Sequence, residues 1–320
     1  MNLTLIFFTL SLYFLSLPLL VISVYDSELR SLMEFKKGIQ LDPTGKIQSW
    51  NVSTLSSLLS PSVCPSAWYG ISCGEDESSG NVTGIVLDRV GLGGELKFHS
   101  LIELKVLSNL SLAGNNFTGR FEPVLGGIPS LQHLDLSGNS FSGPIPARIN
   151  DLYGLNYLNF SSNSFSGAFP SGIRNLQQLK ALDLHGNGLW GDIASLLSEL
   201  KNVEHVDLSF NQFFGSISMG SDNISSLANT LRYLNLSHNN LSGGFFKTEA
   251  VQLFRNLEVL DLGDNQITGE LPALNLMPNL RVLKLGGNQF FGSIPVELLE
   301  SSVQLEELDL SGNGFTGKKN

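Results

Sequence analysis

The sequence predicts an α/β repeat solenoid with a parallel concave sheet. Three observations carry that expectation: a period near 24 residues, an apolar alternation inside each period, and an asparagine in one fixed column. The template L-x-x-L-x-L-x-x-N-x-(L/F/I)-x-G recurs in copies such as "LSNLSLAGNNFTG", "LKALDLHGNGLWG" and "LEELDLSGNGFTG". Its asparagines are Asn115, Asn139, Asn163, Asn187, Asn211, Asn239, Asn265, Asn288 and Asn313, spaced by 24, 24, 24, 24, 28, 26, 23 and 25 residues. An imperfect first copy, "VTGIVLDRVGLGG", has Val90 in the asparagine column and brings the total to ten, over residues 79–320, with the last copy incomplete.

Each column has a physical reason. The last two leucines of L-x-x-L-x-L alternate as in a strand, so they point inward while their neighbours face solvent. The asparagine turns the chain, and its amide both donates and accepts, so a buried column can satisfy turn backbone groups in neighbouring coils. The apolar residue and the glycine that follow are read as completing the turn. One coil offers about six apolar anchors at roughly 1.5 to 3 kcal/mol each, against ordering about 24 residues at about 1.5 kcal/mol apiece. A lone coil therefore cannot fold, and stacking supplies the rest.

Residues ahead of the repeats give a leader and a cap. Leu3 to Val24 is a charge-free apolar run followed by "YDSELRS", which reads as a secretory signal over residues 1–23. An uncleaved anchor is the competing reading, weakened by Thr4, Thr9, Ser11, Ser16 and Pro18. Residues 24–78 form the N-terminal cap, with an amphipathic helix around Leu29, Leu32 and Phe35. Cys64 and Cys73, an even and closely spaced pair behind a leader, read as a disulfide; zinc would need more ligands. Eight Asn-x-Ser/Thr sequons agree with secretion: Asn51, Asn81, Asn109, Asn116, Asn159, Asn223, Asn235 and Asn240. Of these, Asn109, Asn159 and Asn235 are placed on concave strands, where a glycan would obstruct docking, and Asn116 and Asn240 in turns. A net charge of −10 makes a nucleic-acid partner a poor fit.

The endings "FSGPIP", "FSGAFP", "ITGELP" and "FFGSIP" resemble the plant-specific class of leucine-rich repeats. The cap, with Asp42-Pro43, Ser49-Trp50-Asn51 and "CPSAWYGISC", resembles that of plant leucine-rich-repeat receptor-like kinases, closest to the probable inactive receptor kinase group. The resemblance implies a leucine-rich-repeat superhelix whose function is extracellular recognition of a protein or peptide ligand, with a possible co-receptor and no cofactor. Whole receptors of that kind continue into further repeats, a membrane helix and a kinase-like domain, whereas this chain stops at "GNGFTGKKN". Membrane association is expected through such a continuation or through an uncleaved N-terminal segment. A free secreted inhibitor or decoy, similar to polygalacturonase inhibitors, is the alternative.

No kinase Gly-rich loop, His-Arg-Asp or Asp-Phe-Gly motif is found, so no catalytic residue is assigned. Gly186, Gly188 and Gly191 imitate a dinucleotide fingerprint followed by Asp207, but the spacing from Asp183 to Asp207 is the repeat period. The recurring column Asp135, Asp183, Asp207, Asp261 and Asp309 reads as a repeat feature and not a catalytic pair. Function is expected on the concave face, where consecutive coils place His205 beside Tyr233 and Phe210 beside His238, with His133 and Tyr157 in the same column as the first pair. His205, Asp207 and His238 are considered as metal ligands and no metal is assigned. Titration of His205 and His238 is expected to make binding pH-dependent.

Overall fold

The computed structural model describes residues 27–55, 64–75, 80–217, 227–244, 254–271, 277–294 and 304–317. The expected leader over 1–23 and the sequon at Asn223 lie outside them. Within them the chain coils as a stacked series of short strands, and no helix is long and apolar enough to cross a membrane.

The strand of each L-x-L segment pairs in parallel with those of the coils before and after it. Together they form an eleven-stranded sheet running from Ile71–Cys73 to Glu307–Asp309. Register is strict: His133 faces Tyr157, Leu134 faces Leu158 and Asp135 faces Asn159. In the three-residue strands from Asn109–Ser111 to Val282–Lys284 the middle residue is buried and the residue before it stays partly open, as in Ala181–Asp183. Only the first strand departs from the expected parallel order, because Ile71–Cys73 belongs to the cap and pairs antiparallel with Val82–Val86.

A second sheet was not anticipated. The residues read as completing the turn are strands, and ten of them pair in parallel from Gly93–Glu95 to Gly314–Phe315. Asn116 and Asn240 accordingly open strands Asn116–Arg120 and Asn240–Gly244 instead of lying in turns. The pairing continues because each ladder asparagine hands its neighbour's backbone back to the previous coil. The Asn187 Oδ1 accepts from the Phe165 N–H at 2.9 Å, and its Nδ2 donates to the carbonyls of Phe160, Leu184 and His185 at 3.0, 3.1 and 3.2 Å. The same pattern repeats at Asn211 and Asn239. Glycines close these short strands with left-handed backbone, φ being 81° at Gly143, 87° at Gly167 and 90° at Gly215, which explains why the column accepts no side chain readily.

The described convex side is built from 3-10 turns, among them Pro123–Gly127 and Ala147–Asp151, and includes the α-helix Ile193–Glu199, capped by Asp192 through the Ser195 N–H at 2.8 Å. Between the layers runs a chain of buried phenylalanines. Phe141 lies 6.4 Å from Phe117, 6.3 Å from Phe165 and 5.9 Å from Phe98 by ring centroids.

The cap seals the first coil. Its helix over 27–36 buries Leu29, Leu32 and Phe35. Trp50 stacks on Trp68 at 5.8 Å and donates its indole N–H to the Tyr69 carbonyl at 2.8 Å. Cys64 and Cys73 are joined by a disulfide, so the loop carrying Trp68 is tied to the first strand. Replacing Cys73 with Ser is expected to cost about 3 kcal/mol, the entropy of so short a closed loop. The check is urea unfolding followed by Trp fluorescence, and an unchanged cap transition would contradict it.

Candidate functional site

The concave face presents one half-buried column that changes character between coils. From the second copy onward it reads Asn109, His133, Tyr157, Ala181, His205, Tyr233 and Val259, each in register with the next. Strand spacing of about 4.8 Å sets facing rings at stacking distance. The His133 and Tyr157 rings lie 4.4 Å apart and nearly parallel at 4°, and those of His205 and Tyr233 lie 4.1 Å apart at 13°. Ala181 leaves a gap between the two pairs.

Beneath the second pair sits a saturated carboxylate. Asp207 is buried; its Oδ1 accepts from the Ser209 N–H and hydroxyl at 3.0 and 2.6 Å, and its Oδ2 accepts from the Tyr233 hydroxyl and Asn235 Nδ2 at 3.3 and 3.1 Å. The Asp column has the same local cause throughout. Its Oδ1 caps the N–H two residues on, at Ser137 from Asp135, at Gly263 from Asp261 and at Ser311 from Asp309.

Burial holds His205 and His133 below the usual imidazole range, overcoming the pull of nearby Asp183 and Asp207 on His205 and of Asp135 and Asp88 on His133. Tyr233 is pushed up to about 12, first by burial and then by the Asp207 charge. The hydroxyl therefore stays a donor to Asp207, and the imidazoles remain neutral through neutral pH.

The third ring pair stands on the turn above. Phe210 and His238 stack at 3.9 Å, with Phe210 54% exposed. Their backbone is left-handed, φ 53° and 52°, in a column where Gly114, Gly138, Gly186, Gly287 and Gly312 also have positive φ. Holding a bulky side chain there costs about 1 to 2 kcal/mol. The sequence shows Gly and Ser dominating this column but does not show the dihedral that makes them fit. The His238 Nε2 lies 3.2 Å from an Asp264 carboxylate oxygen in the next coil.

Other expected groupings differ. Among the described residues, those that gather as possible metal ligands are Asp183, His185 and Asp207, with ligand atoms within 4.8 Å of one another, and not His205, Asp207 and His238. The reason is register: Asp183 faces Asp207, and the His185 ring turns back onto Asp183 Oδ1 at 2.9 Å. The Asp207 oxygens are already committed to four donors, so no metal role is assigned.

Two of the three sequons on concave strands, Asn159 and Asn235, are bound into the same network, whereas the Asn109 Oδ1 is buried without a hydrogen-bond partner among the described residues. Asn159 is 8% exposed, its amide donating to the Tyr157 hydroxyl and accepting from Ser161. Asn235 donates to Asp207 and accepts from Ser237, whereas Asn51, Asn116 and Asn240 are exposed. At the edge of the face, Lys180–Glu204, Arg232–Glu258 and Arg281–Glu306 pair across adjacent coils at 3.1, 2.8 and 2.7 Å. These exposed pairs stabilise little, but they neutralise the border around the aromatic column.

Comparison with known proteins agrees with this architecture. A leucine rich repeat N-terminal domain model matches residues 26–74. Leucine Rich Repeat models match 130–152, 154–176, 230–248 and 304–320, and a two-copy model matches 255–298. A probable inactive receptor kinase of Arabidopsis thaliana is 63% identical over 311 residues, covering 96% of this chain and 29% of its own length. An LRR receptor-like serine/threonine-protein kinase of the same plant is 38% identical over 128 residues, covering 38% of this chain and 11% of its own. The chain thus spans less than a third of the length of the relatives it matches. Among solved structures, the Arabidopsis thaliana receptor kinase ectodomain GASSHO1/SCHENGEN3, in complex with CASPARIAN STRIP INTEGRITY FACTOR 2, superposes with TM-score 0.78. It shows 29% identity and covers 91% of this chain and 33% of its own. The Arabidopsis receptor kinase HAESA ectodomain, in complex with a peptide hormone ligand, gives TM-score 0.57 at 28% identity over 92% of this chain and 54% of its own.

Proposed function

The chain belongs to the plant leucine-rich-repeat receptor kinases, as part of their extracellular repeat region, and from that premise we propose that its stacked concave rings recognise a protein or peptide ligand. Binding, with no turnover by this chain, is the whole of the activity proposed for it, and a co-receptor ectodomain is the second partner. The likeness to two receptor ectodomains in complex with their ligands supports the reading.

The observation that carries it is Phe210 with His238. Half of the coils use glycine at those turns, and Arg89, Ser162 and Asp264 take the same left-handed backbone with polar side chains; two stacked, exposed rings there are not what the turn favours and serve something other than folding. Exposed aromatics next to a second stacked pair are the composition of a binding hot spot.

Phe210→Gly tests this directly. Relief of the backbone strain is offset by lost stacking and by the greater freedom of glycine in the unfolded chain, so stability is expected to stay within about 1 kcal/mol of the parent. Screening the secreted chain against a panel of synthetic secreted-peptide hormones should give a saturable binder whose affinity falls about tenfold or more in Phe210→Gly and in Tyr233→Ala. Unchanged affinity in both variants would remove the concave rings from the function.

Acid dependence has a definite sign. His205 and His133 have folded values below 6.5, so the unfolded chain takes up protons first as pH falls. Their contribution to stability is complete above about pH 6.5 and is lost below it, and ligand affinity resting on neutral His205 should be flat from about pH 6.5 to 8. The expected titration at neutral pH is thereby moved to the acid side for His205.

A further inference from the structure

The second sheet carries a cleft that the concave reading does not use. In the position before the closing glycine, coils carry Thr118, Ser142, Ser166, Ser242, Thr268 and Thr316, whereas Trp190, Phe214 and Phe291 are aromatic and 47%, 42% and 49% exposed, the first two in adjacent coils. Register places Trp190 beside Ala168 and Asp192 beside Phe214. With Phe169 and Pro170 they wall a cleft of about 300 Å³ on the flank of the solenoid, closed on its convex side by the helix Ile193–Glu199.

Two carboxylates stand in this apolar cleft, and no lysine, arginine or histidine is among its lining residues. The Asp192 Oδ1 caps the helix, and the Glu199 Oε2 accepts from the Gly172 N–H at 2.7 Å, so both side chains are fixed in place. An occupant therefore meets ring faces and acceptors, and must bring apolar surface together with a charged donor. The volume suits one or two side chains and not a large cofactor.

We propose that this flank cleft receives a lysine or arginine side chain, with its apolar neighbour, from an extended peptide segment of a partner protein, the cation lying against the Trp190 indole in the field of Asp192 and Glu199. A neutral sugar would also stack on an indole and donate its hydroxyls to the carboxylates, but only a cation adds the charge attraction of two acids in a site without basic residues. The site is separate from the concave rings and stands whether or not they bind a ligand.

Trp190 reports on its own occupancy, because the other two tryptophans, Trp50 and Trp68, are 0% and 2% exposed. The full chain is titrated with acetyl-leucyl-arginine amide, its neutral citrulline counterpart and cellotetraose, with indole emission as the readout. Expected is a saturable response to the arginine peptide, about fivefold weaker for citrulline and weakened when ionic strength rises from about 0.05 to about 0.5 M, while titration calorimetry, which needs no indole reporter, should show binding lost in Trp190→Ala. Glu199→Gln, which keeps an acceptor for Gly172, should lower affinity for the arginine peptide alone. An equal response to citrulline, a preference for cellotetraose, or no saturation by the arginine peptide while Trp190 remains open to acrylamide quenching would each overturn the proposal.

Discussion

Asn211→Asp is expected to cost about 3 to 5 kcal/mol, although it changes one amide nitrogen into an oxygen and nothing else. Asn211 is buried, and its Nδ2 donates to the carbonyls of Leu184, Leu208 and Ser209 at 2.9, 3.2 and 3.1 Å. In the variant three carbonyls face a carboxylate oxygen, while the bond from the Leu189 N–H to Oδ1 survives. Burial among acceptors raises the new group's folded pKa, so the damage grows as pH rises above the unfolded value near 3.9 and is partly relieved in acid. Because coils couple only to their neighbours, calorimetry should show the single transition splitting into two as the array is interrupted near its middle. A variant unfolding in one transition at the parent midpoint would show that the ladder amides are dispensable.

Phe141→Ala removes the centre of the phenylalanine chain and is expected to cost about 3 to 5 kcal/mol, combining lost transfer energy with an unfilled cavity. Its ring is fully buried and touches the rings of Phe98, Phe117 and Phe165 in three different coils, so no neighbour can collapse into the space without leaving its own partner. Phe141→Leu should cost about 1.5 kcal/mol or less, since Leu189 and Leu241 fill the same column in other coils. Guanidinium unfolding of both variants checks the ordering; equal losses would mean that volume in this column is not what is being filled.

How much of this was readable beforehand depends on the period of each signal. Leu134 and Leu136, or Leu182 and Leu184, alternate over enough residues to announce a strand and its inward face, and Leu29, Leu32 and Phe35 announce a helix in the same way. The second sheet escaped because "FSG" or "LWG" offers one buried residue and a glycine, too short for any alternation to register, and pairing there depends on a hydrogen bond supplied from the next coil. The ring pairs were legible because repeat register puts His205 beside Tyr233. Their state was not, since the neutral imidazole follows from burial and the left-handed turn at Phe210 from a dihedral that one-letter code does not carry. Trp190 and Phe214 were visible as departures from a Ser/Thr column only once that column was known to be a strand on a flank.

The direction of the asparagine bonds has a consequence for how the molecule is made. Asn139 satisfies the Phe117 N–H and Leu112 carbonyl of the coil before it, Asn163 does the same for Phe141 and Leu136, and so on along the array. Every turn is thus completed by residues synthesised one period later. On a ribosome the nascent chain would fold with a lag of one coil, each new segment locking its predecessor, and the disulfide-tied cap would serve as the template on which the first coil forms.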